Sequence, residues 1–145
     1  MACLASSRVG GVASEVVWDA NCHGVAQLAD DAALTVGRDA GITPECLLAA
    51  AANAALMVAF LERAAAAGLA VLGYVSASRF EPAVEVPGGA RLVLLPSMLV
   101  AADDVDRAGK LLQEALAEAP VLRQLLPEVA LECSIQPMGR PAGRR

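Results

Sequence analysis

The sequence reads as an α+β domain, and three features of its patterning say so. Residues 43–68 form one long apolar run with helix start and stop signals, short alternating segments lie on both sides of it, and a second, amphipathic helix follows near residue 103. In the long run, Thr43 suits an N-cap, Pro44 the first helical position and Glu45 the positive first turn, while Gly68 supplies the stop. Between Cys46 and Phe60 the only strongly polar residue is Asn53. A helix apolar on every side must be covered on more than one side, and a single chain of 145 residues has limited material for that, so a second subunit is expected.

The remaining elements follow in order. Residues 1–10 lack periodicity, residues 11–18 alternate as a strand, and Asp19-Ala20-Asn21 reads as a turn. Residues 22–28 and 33–37 make two more strands around the Asp30-Asp31 turn. After the helix, residues 70–81 and 91–100 read as strands joined through residues 84–86 and the Pro87-Gly88-Gly89 turn. Pro96 has no N–H to donate, which places the later strand at an edge or puts a bulge there. Asp103 and Asp104 open the second helix, whose stripe is Val105, Ala108, Leu112, Ala115, Leu116 and Ala119. Pro120 ends or kinks it, residues 121–126 add a turn or two, and residues 128–135 read as a last strand. The expected organisation is a single domain over residues 1–137 with a mobile basic tail at 138–145.

Composition excludes several classes. The chain is 57% hydrophobic but only 3% aromatic, so stacking platforms for bases are not expected. A net charge of −5 argues against nucleic acid and anionic lipid as partners. The apolar run 46–60 is shorter than the roughly 20 residues a bilayer span needs, and residues 1–7 lack the pattern of a secretion signal, so a cytoplasmic protein without a membrane partner is expected. Cys3, Cys22, Cys46 and Cys133 are widely spaced, with one histidine, His23, so no metal site and no cofactor is expected, and buried thiols are favoured over disulfides. His23 reads as an ordinary strand histidine, because Cys22 points to the other strand face.

Two stretches carry a resemblance. Leu34-Thr35-Val36-Gly37, followed by Gly41-Ile42-Thr43-Pro44-Glu45-Cys46-Leu47-Leu48-Ala49-Ala50-Ala51, looks like the opening of the central helix in the OsmC/Ohr family of osmotically induced and organic-hydroperoxide-resistance proteins. Ala119-Pro120-Val121 looks like that family's Cys-Pro-Val after the next helix. The resemblance runs from about Gly11 to Pro137. It implies an OsmC-like fold, with antiparallel sheets around a long buried central helix, in an intertwined homodimer.

It also implies a two-cysteine thiol peroxidase, in which a central-helix cysteine attacks the peroxide and the cysteine before Pro-Val resolves the sulfenic acid. Aligned from Pro44-Glu45, those positions are Ala55 and Ala119, and a methyl group forms no thiolate. Glu45 matches the family's glutamate, whereas Arg8 and Arg38 both remain possible for its active-site arginine. The expected function is therefore not enzymatic: a cleft around Glu45, Asn53, Ala55 and Ala119 that holds a small apolar ligand, or a structural role. The alternative is a hydroperoxide reductase acting through Cys46. That thiol lies in the first helical turn but nine residues before Ala55, on the opposite side of the helix and roughly 13 Å away.

Overall fold

The computed structural model describes residues 15–20, 23–27, 32–38, 41–82, 90–125 and 129–138. The chain divides into two compact units, residues 1–44 and 45–145.

The first unit holds a three-stranded antiparallel sheet in the order β1-β2-β3, with β1 Glu15–Ala20, β2 His23–Gln27 and β3 Ala33–Gly37. β1 runs on through Asp19 and Ala20, where a turn was expected, and absorbs the mismatch as a register irregularity between Trp18 and Ala20. Residues 11–14 of the expected first strand, Cys3, Cys22 and Arg8 lie outside the described residues, as do the turn at 87–89 and all of the tail beyond Met138.

The second unit is built on α1, Pro44–Ala66, a helix of 23 residues. Its alanines favour the helix intrinsically, and Gly68, with φ +65, ends it. Leu69 N–H donates to Ala64 O at 2.8 Å and Gly68 N–H to Ala65 O at 3.1 Å, the paired bonds of a Schellman stop. Leu69 and Ala64 are both buried, the apolar contact that accompanies this motif. A second helix tightens the same end, because Arg107 donates to Ala67 O.

Two long strands follow, β4 Val71–Glu81 and β5 Arg91–Val100, paired antiparallel. A short 3₁₀ turn at Ala102–Asp104 leads into α2, Val105–Glu118, then α3, Pro120–Leu125. Asp104 makes no side-chain capping bond, so its effect at the α2 N-terminus is electrostatic. Alternate β5 residues Leu92, Leu94, Met98 and Val100 form one core with Leu56, Phe60 and Ala64 of α1 and Ala108, Leu112 and Ala115 of α2. Each fully buried Leu or Phe contributes roughly 1.5–3 kcal/mol relative to exposure.

The expected single last strand is two, β6 Val129–Leu131 and β7 Ser134–Pro137, both parallel to β5 along the edge away from β4. Pro96 explains the break. Glu132 N–H donates to Leu94 O at 2.9 Å and Met138 N–H to Val100 O at 2.8 Å, so the even-numbered residues of β5 turn their backbone groups toward β6 and β7. Pro96 shares that parity and offers no donor, and the ladder is interrupted opposite it, at Glu132-Cys133. β5 is thus the middle strand rather than an edge, and its pairing with β4 shifts register at Val71/Gly73, not at the proline.

Only one stripe of α1 is buried within the chain: Ala49, Ala52, Leu56, Phe60 and Ala64. Met57, Val58 and Leu61 on its other side are 37%, 49% and 37% exposed. Taken with its flanks, α1 is long and apolar enough to cross a membrane by length and composition, which the run 46–60 alone is not.

Candidate functional site

The N-terminal half of α1 and the strand β4 enclose a cleft of about 790 Å³. Helical spacing brings Glu45, Cys46, Ala49, Ala50 and Asn53 to one side of it. From β4 come Ala77 and the alternating series Ser76, Ser78 and Phe80, with Pro82 at the end. The cleft exists because side chains on the helix wall are short: Ala49 and Ala50 present methyl groups where longer residues would reach across to the strand.

The polar side chains on its floor are engaged with one another. Asn53 Nδ2 donates to Ser76 O at 3.2 Å, Ser76 Oγ donates back to Asn53 Oδ1, and Ser78 Oγ donates to Ala49 O at 3.3 Å. These bonds tie helix to strand, and what the floor presents is mainly methyl groups and the Phe80 ring. Further along the same β4 face, Tyr74 stacks on Phe60 with ring centroids 6.0 Å apart and planes at 27°. Burial raises the Tyr74 hydroxyl above its usual pKa of 10.0, with the nearby Ser76 hydroxyl working against the shift. That hydroxyl is buried without a well-formed hydrogen bond among the described residues.

Within the single chain, the four expected pocket residues lie in different places. Glu45 and Asn53 line the cleft. Ala55 is partly buried against the hydrophobic core and is not among the cleft's lining residues. Ala119 is buried and lines a second hollow of about 430 Å³, with Ala59, Arg63 and Glu118, at the other end of α1. Arg63 bridges Glu114 and Glu118 across that hollow's rim. Arg38 is exposed.

Cys46 is an exposed thiol in the cleft, and Cys133 is exposed as well, in the gap between β6 and β7. Both differ from the expected buried state. Cys133 escapes burial because the ladder breaks there, and Cys46 because the first turn of α1 faces the cleft opening. Sequence reasoning missed Ser76 and Ser78. Their signal was their position, between Tyr74 and Phe80 on one strand face. Among the described residues, no group of three or more His, Cys, Asp or Glu is arranged to hold a metal ion.

By sequence, no family model and no curated protein matches the chain. Solved structures do match. The chain is similar to an OsmC-like protein of unknown function from Vibrio cholerae, with a TM-score of 0.74 at 15% identity, covering 86% of this chain and 99% of that one. It is similar to an OsmC-like protein from Mycoplasma pneumoniae, with a TM-score of 0.75 at 11% identity over 87% and 97% of the two chains. It is also similar to the organic hydroperoxide resistance protein OhrB of Bacillus subtilis, with a TM-score of 0.61 at 15% identity over 86% and 98%. The fold is OsmC-like.

Proposed function

We propose that the chain is a peroxide-stress protein of the OsmC/Ohr family in which methyl groups stand where the redox cysteines would be, and that it binds a small apolar molecule in the α1/β4 cleft. The observation that carries this reading is the state of the cleft floor. Asn53, Ser76 and Ser78 direct their side-chain polar groups at one another and at backbone carbonyls, so an apolar ligand would strand none of those side chains. A cleft of about 790 Å³ lies within the range of small-molecule sites. Ala55 and Ala119 remain the proposed counterparts of the attacking and resolving cysteines, and neither can carry that chemistry.

The site is read as part of a homodimer. Met57, Val58 and Leu61 leave an apolar stripe of α1 uncovered in the single chain, which a second copy would cover. A monomer by light scattering at micromolar concentration would contradict this.

The binding reading is tested by titrating the protein with 1-hexanol and following backbone amide shifts. Saturable shifts at Ala49, Ala50 and Phe80 are expected, and the variant Ala50→Trp, which fills the cleft from an exposed helix position, is expected to lose them. Shifts that persist unchanged in Ala50→Trp would count against the site.

One observation favours a second reading: the Cys46 thiol opens onto the same cleft. In that reading the thiolate attacks the distal peroxide oxygen, the alcohol leaves, and an external dithiol reduces the resulting sulfenic acid back to the thiol with release of water. Cumene hydroperoxide and dithiothreitol with the wild type and Cys46→Ser decide it, since equal rates end the idea.

A further inference from the structure

We draw no further inference here: the strongest candidate, the hollow of about 430 Å³ at the C-terminal end of α1 lined by Ala59, Glu62, Arg63, Glu118 and Ala119, carries nothing more, because Ala119 makes it part of the site already described and its arginine is engaged by Glu114 and Glu118.

Discussion

The two halves of α1 share a helix and an alanine-rich composition, yet on the face toward β4 one is sealed and the other open. In the C-terminal half, Leu56 and Phe60 reach across to β4, β5 and α2 and are fully buried, and Arg63 ties the rim to Glu114 and Glu118. In the N-terminal half the corresponding positions are Ala49 and Ala52, and beside them Glu45, Cys46 and Ala50 stay exposed along the cleft. The difference is side-chain length. Helix and strand are held at one separation by Phe60 and Tyr74 at one end and by the Asn53–Ser76 pair in the middle, so short residues beyond that pair leave a gap rather than closing it.

Substitutions along the helix should separate these roles. The largest loss is expected from Phe60→Ala in the sealed half, about 3–5 kcal/mol in urea unfolding, because it removes a fully buried ring and its partner in stacking. A loss under about 1 kcal/mol would mean that the sealed half repacks freely and that length is not what distinguishes the two. Asn53→Ala, at the boundary, is expected to cost roughly 1–3 kcal/mol by leaving partly buried groups of Ser76 unsatisfied. It should also broaden the amide signals of the cleft residues while sparing those of Ala108 and Leu112.

The smallest effect is expected at the far end of β4, where Arg91, with help from Arg79, holds the Glu81 carboxyl below its usual value of 4.5. A depressed carboxylate stabilises the fold above the unfolded-state value, and that contribution is lost as pH falls through the folded-state value. Arg91→Ala should therefore be slightly less stable than the wild type at pH 7, with the difference vanishing in acid. A difference that persists well below pH 4 would assign the arginine's contribution to packing of its stem rather than to charge.

Most elements were legible because their periodicities are strong. The stripe of α2, the bounds of β5 and the glycine stop of α1 follow from side-chain spacing and backbone freedom that local sequence determines. The last strand was not. A proline shows that a hydrogen bond is missing, but only the register shows on which side of the strand, so Pro96 suggested an edge where the structure has an interruption in the neighbouring ladder. Cys133 was misjudged for the same reason, since it occupies that interruption.

At the site, Glu45 could be named because it matches the glutamate of the family the sequence resembles, and Asn53 because it is the one strongly polar residue in the apolar run. Ser76 and Ser78 could not, because short polar residues in a strand carry no signal until the helix opposite is known. The grouping of Ala55 and Ala119 with the cleft came from aligning two short motifs. Such an alignment assigns positions along the chain without saying which hollow each one faces.

The interrupted ladder has a consequence for how the C-terminal end holds on. β6 and β7 grip β5 as two separate clips, and Glu132, tied by its N–H to Leu94 O and by its carboxylate to Arg79, anchors the step from one to the other. Two short clips joined by an anchored step can open one at a time, so β7 can let go while β6 and the helices stay seated.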